Sequence, residues 1–149
     1  LPARKQKPER RREDKTLLLF RAGETVALCR RNDGVLKGMY GFFAVGAPLS
    51  DAQIAAFLRG AGVQNFEIGE KRRHKHVFSH IEWTMLARVI ELPDEKQLAA
   101  ADETAGARAI GMPADTEISP FASLKYFTKA QIEADISLPS AFRWCMELL

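Results

Sequence analysis

Cysteine is scarce in this chain: Cys29 and Cys145 are the only two among 149 residues. Their separation leaves no CxxC metal or redox pair, and two thiols make no disulfide framework of the secreted kind. An intracellular setting is therefore expected, cytoplasm or nucleoid if the source is bacterial. No apolar run approaches the roughly 18 residues of a membrane span, and no signal-peptide pattern follows Leu1, so no membrane partner is expected and the chain reads as part of a longer one. GxSxG, P-loop and GxGxxG patterns are also missing, which removes the common nucleophile-elbow and nucleotide-cradle chemistries. Net charge is small, with 22 Lys+Arg against 19 Asp+Glu. What remains, 46% hydrophobic and 28% charged residues, is the composition of one soluble domain. A chain of this size buries roughly 68–70% of its unfolded surface, enough for a core without staples.

The small net charge conceals segregation. Residues 1–15 carry seven Lys/Arg against three acids, whereas 91–118 holds seven acids against Lys96 and Arg108. The alanine-rich middle of 93–120 reads as a poorly packed acidic excursion. A second basic knot at 70–76 contains Lys71, Arg72, Arg73 and Lys75, and all three histidines fall at His74, His76 and His80. One basic run is ordinarily a solvated surface; two suggest nucleic acid.

TLLLF (16–20) and TVALC (25–29), joined through Gly23, predict a hairpin, and NDG at 32–34 predicts a turn. GMYGFFAVG predicts an irregular strand with close backbone approaches. Ser50 before Ile54, Phe57 and Leu58, with glycines at 60 and 62, predicts an amphipathic helix. From Val77, the apolar residues Val77, Ile81, Trp83, Met85, Ala87 and Val89 recur at period two, a half-buried strand with Trp83 and Met85 in the core. FTKAQIEADI and PSAFRWCMELL have helical spacing, so the chain should close on a short helix, with Phe142 and Trp144, or at least one of them, in the core. The fold class expected is α+β, a curved sheet with helices packed on its faces.

LPARKQKPERRRED, the paired strands, GVLKGMYGFF, HVFSH and LPSAFRW form an ordered series. It resembles the C-terminal domain of MutY-type adenine glycosylases, across roughly residues 1–46, 74–92 and 122–149. The resemblance implies a Nudix-like fold with a mixed or antiparallel sheet. It makes 1–15 the end of a basic interdomain linker, 16–149 an 8-oxoguanine-recognition domain, and 93–120 an insertion. It also implies a separate N-terminal catalytic domain carrying a 4Fe–4S cluster. No cofactor is expected in this chain, whose two cysteines cannot hold a four-cysteine cluster. The implied partners are that domain and double-stranded DNA containing 8-oxoguanine:adenine. The chain departs from the family's GLWEFP-like segment, with Gly41 in place of an acid and Phe43 in place of a proline, which bears on the packing of that loop.

The chemistry of the Phe78, Ser79, His80 element suits an oxidised guanine. Normal guanine offers N7 and O6 acceptors in the major groove; oxidation puts a hydrogen on N7 and a carbonyl at C8. A serine hydroxyl can accept from that hydrogen or donate to a carbonyl. Phe78 can press on the duplex or support the loop from below, and His76 and His80 can donate to phosphates or orient Ser79. The resemblance favours contact roles for Phe78, Ser79 and His80. Lys71, Arg72, Arg73 and Lys75 are the candidate phosphate contacts. His74, His76 and His80 share strand parity, but no HExxH-like carboxylate accompanies them, and no metal site is assigned.

Nudix hydrolases hold magnesium on a helix with an R-E-x-x-E-E pattern. The corresponding helix here contains Asp51 alone among acids. No catalytic residue is therefore expected. Two alternatives stand beside the lesion-reading function: a free-standing Nudix-like hydrolase or binder of oxidised nucleotides, and a repair-protein interaction module.

Overall fold

Four consecutive apolar residues, Leu17 to Phe20, need cover on both sides of any strand that contains them. In the computed structural model, which describes residues 10–149, they form the centre of β1 (Arg11–Ala22), and all four are 0% exposed. The other strands are β2 (Thr25–Arg30), β3 (Tyr40–Gly41), β4 (Phe43–Val45), β5 (Glu67–Val77), β6 (Ile81–Leu92) and β7 (Lys125–Thr128). The helices are α1 (Asp51–Gly60), α2 (Glu103–Ala109), α3 (Lys129–Asp135) and α4 (Ser140–Arg143). The sheet is mixed, ordered β3-β2-β1-β6-β5, with β4 also on β1 and β7 on β2. β1 and β6 run parallel, in register from Arg11 opposite Ile81 to Ala22 opposite Leu92. The α+β class is as expected.

Side chains alternate across β1 and build one core on each face. Leu17 and Leu19 join Trp83, Met85, Val89, Phe142 and Cys145 beneath α3 and α4. Leu18 and Phe20 join Ile90, Phe43, Ile54, Phe57 and Phe121 beneath α1. The Gly23 hairpin is present, with Gly23 at φ 61° between Ala22 and Thr25, which pair with each other. α1 begins where expected: Ser50 accepts from the Gln53 N–H while Gln53 accepts from the Ser50 N–H, a reciprocal cap. The GMYGFF segment breaks at Phe42, so that β3 pairs with β2 and β4 with β1. Packing accounts for the residues at 41 and 43. A Cβ on Gly41 would lie 3.0 Å from the Phe142 ring, and Phe43 stacks on Phe121 with centroids 4.5 Å apart.

Three expectations need correction. The acidic excursion is packed: it contains a 3-10 turn at Glu95–Leu98 and α2, and Asp102 donates its N–H to the Ala61 carbonyl at 3.0 Å. The packing relies on small residues, since a Cβ on Gly106 would sit 2.7 Å from the Phe57 carbonyl. The strand expected at 16–20 starts at Arg11, so the basic residues 11–15 pair with β6; residues 1–9 of the expected linker lie outside the described residues. The strand expected from Val77 starts at Ile81, leaving Val77 at the end of β5 and 43% exposed. The chain closes on a short helix as expected, α4 giving way to a 3-10 turn at Trp144–Leu148, and Phe142 and Trp144 are both in the core.

Candidate nucleic-acid interface

The basic knot at 70–76 lies within β5, an eleven-residue strand at the edge of the sheet. Alternation divides its cations. Lys71, Arg73 and Lys75 share the α1 side with Arg88, Leu86 and Thr84 opposite them on β6. Arg72 turns to the other face and pairs with Glu147 of the terminal 3-10 turn. The four candidate phosphate contacts are thus all exposed but do not form one patch.

The Phe78, Ser79, His80 element is the tip of the β5–β6 hairpin. The Phe78 N–H donates to the Ile81 carbonyl at 2.7 Å. Ser79 and His80 are exposed among the described residues. Phe78 is half-buried. Its ring stands edge-on to Trp83 and to His76, each 4.8 Å away between centroids, so it supports the loop from below. Trp83 is in turn flanked by two cations, Lys15 Nζ at 4.8 Å and Arg31 Cζ at 4.9 Å from the ring centroid.

The histidines divide among separate roles. His74 stacks on Trp144 at 4.8 Å, His76 packs on Phe78, and His80 faces solvent. Among the described residues no three His, Cys, Asp or Glu side chains are grouped to hold a metal ion. Burial, reinforced by the charge of His74, lowers the pKa of His76 from its ordinary value. The folded state therefore disfavours the protonated ring. Its contribution to stability is full above about pH 6.5 and falls as pH drops through the unfolded value towards the folded one. Urea unfolding at pH 7.5 and 5.5 should show a larger loss for the wild type than for His76→Gln.

Sequence reasoning missed the contribution of β1. Parallel pairing sets Arg11 opposite Ile81 and Arg12 opposite Glu82, so both basic segments meet at the hairpin tip. Glu82 holds Arg12 at 3.4 Å and Lys75 at 4.0 Å, spanning three strands. The signal available was continuity: Arg11 to Lys15 leads without a Gly or Pro into Thr16 and the apolar run.

No family model and no curated protein matches the chain. Solved structures do. A Nudix hydrolase from M. smegmatis, RenU, aligns with a TM-score of 0.52 at 16% identity, covering 94% of this chain and 83% of that one. A MutT Nudix hydrolase from Burkholderia pseudomallei aligns at 0.52 and 11% identity, covering 92% and 97%. The C-terminal domain of mouse MUTYH, solved in complex with human PCNA, aligns at 0.50 and 14% identity, covering 91% and 87%. The fold is that of Nudix domains.

That fold implies a divalent cation held by carboxylates of the helix equivalent to α1, and the residues present do not fit one. The single carboxylate of α1, Asp51, is engaged by Arg88, with Nε 3.1 Å from Oδ1 and Nη2 2.5 Å from Oδ2. The remaining guanidinium nitrogen of Arg88 donates to the Gly69 carbonyl at 2.7 Å. Asp51 is thereby used to tie α1 to the sheet. Among the described residues no helix is long and apolar enough to cross a membrane.

Proposed function

We propose that this chain is the lesion-reading domain of a MutY-type adenine DNA glycosylase, which senses 8-oxoguanine opposite adenine while a separate catalytic domain removes the adenine. The observation that carries the reading is the exposed Ser79, at a hairpin tip flanked by Arg11 and Arg12 on one side and Arg73 and Lys75 on the other. The ordered motif series supports it, as does a fold shared with a MUTYH C-terminal domain. Phosphate contacts position the duplex, and the hydroxyl distinguishes the oxidised edge. Ser79 and His80 are the contacts to the base or its flanks, with Phe78 as their support. Partners would be the lesion-bearing duplex and the catalytic domain with its 4Fe–4S cluster. A magnesium-dependent nucleotide hydrolase is the weaker reading, because Asp51 is committed to Arg88.

The test is binding to duplexes containing 8-oxoguanine:adenine or guanine:adenine, followed by adenine removal when the chain is added to its catalytic domain. A missing hydrogen-bond partner costs about 1–3 kcal/mol. Ser79→Ala should therefore narrow discrimination by roughly 5- to 150-fold at most. If Arg12, Lys71, Arg73 and Lys75 neutralise about four phosphates, log affinity should fall against log salt with a slope of about −3.6. Arg73→Gln should reduce that slope by about 0.9 and weaken both duplexes alike. Equal affinity of the wild type for the two duplexes would overturn the reading.

A further inference from the structure

The hairpin tip lacks the turn chemistry that would hold it unaided. Two-residue loops that match strand twist are types I′ and II′, which need positive φ and favour Gly, Asn or Asp. The residues between Phe78 and Ile81 are Ser79 and His80, and neither has a positive φ; Leu36 is the one non-glycine residue that does among those described. Two contacts from outside the tip compensate. One is the Phe78 ring against Trp83. The other is the main chain of β1, where the Arg11 N–H donates to the His80 carbonyl at 3.0 Å.

We propose that Arg11 is a positioning residue for Ser79, acting through its main-chain N–H and not its guanidinium. The inference rests on Ser79 as the lesion-sensing group. The Arg11 bond fixes the far end of the loop to a strand whose later residues, Leu17 to Phe20, are sealed in both cores. Register from Arg11 to Ala22 is continuous, so the tip is referenced to the most buried part of the domain. Ser79 then meets the base in one orientation, without the ordering cost that a loose loop would incur on binding.

Two substitutions separate the main chain from the side chain. Arg11→Ala keeps the N–H and removes the cation; it should weaken both duplexes by a similar factor and preserve the preference for 8-oxoguanine. Arg11→Pro also removes the N–H, at the first residue of a strand, where proline is tolerated. It should reduce that preference at least five-fold relative to Arg11→Ala and speed hydrogen exchange of the Phe78 amide at least ten-fold. Should proline unfold the domain, an ester in place of the Arg11 amide deletes the same donor with the side chain retained. Unchanged preference in the folded proline or ester variant overturns the proposal. If the wild type shows no preference, the lesion-reading function fails. Phe78 exchange then decides the Arg11 bond alone, and equal rates in the alanine and proline variants overturn it.

Discussion

Trp83→Ala should lower the unfolding free energy by about 3–5 kcal/mol, the cost of truncating a large buried aromatic. A domain of this size has roughly 5–15 kcal/mol in total, so the variant should approach the edge of folding. Trp83 is 1% exposed and touches more than core hydrocarbon. It backs Phe78 and Phe142 and lies against the Lys15 and Arg31 cations. Its loss therefore loosens the β5–β6 hairpin tip as well as the core. Denaturant titration measures the first effect. Trp83→Phe retains an apolar ring and should recover much of the stability; full stability in the alanine variant would show that the aromatic stack contributes nothing.

The second large effect concerns charge. Lys15 has a side chain only 2% exposed, with Glu117 at 3.2 Å and Glu13 at 3.7 Å from Nζ. Removing both carboxylates by Glu13→Gln with Glu117→Gln leaves a sealed ammonium without a counter-charge, expected to cost about 3–5 kcal/mol. Lys15→Met is expected to cost far less. The two carboxylates it strands are 30% and 55% exposed and can take water, while the methionine keeps apolar contact with Trp83. The asymmetry is the test, read as two denaturant midpoints at pH 7. Equal losses would show that Lys15 is solvated in solution.

The elements legible in the sequence were those whose chemistry is local. α1 announced itself through Ser50 as its cap, the glycines at its end and the apolar spacing of Ile54, Phe57 and Leu58, all three of which are buried. The strand through Leu17 to Phe20 and the Gly23 hairpin were equally plain. β5 was not, because EIGEKRRHKHV has no apolar face to count; on its α4 side stand Arg72, His74 and His76, which meet Glu147, Trp144 and Phe78. The acidic segment misled for a related reason. Its docking depends on Leu98, on Gly106 and on main chain, where the Glu117 carbonyl accepts from the Gly46 N–H and the Ser119 N–H donates to the Ala44 carbonyl, and none of these makes a stripe. Lys15 was hidden by its charge, since a lysine enters a core only when distant partners such as Glu117 and Trp83 receive it. At the candidate site, the loop at Phe78 to His80 was picked out by its motif, but the proximity of Arg11 depends on a parallel pairing across seventy residues of chain, which no local pattern encodes.

The edge position of β5 has a consequence for the behaviour of many molecules together. An eleven-residue strand with one side unpaired among the described residues is a template on which a second copy could pair and from which a filament could grow. Lys71, Arg72, Arg73 and Lys75 make such an encounter one of like charges at close range, so concentrated solutions should stay dispersed. Exchanging these four for threonine or valine would leave the fold its core but turn the open edge adhesive, and insolubility would follow from a change made entirely at the surface.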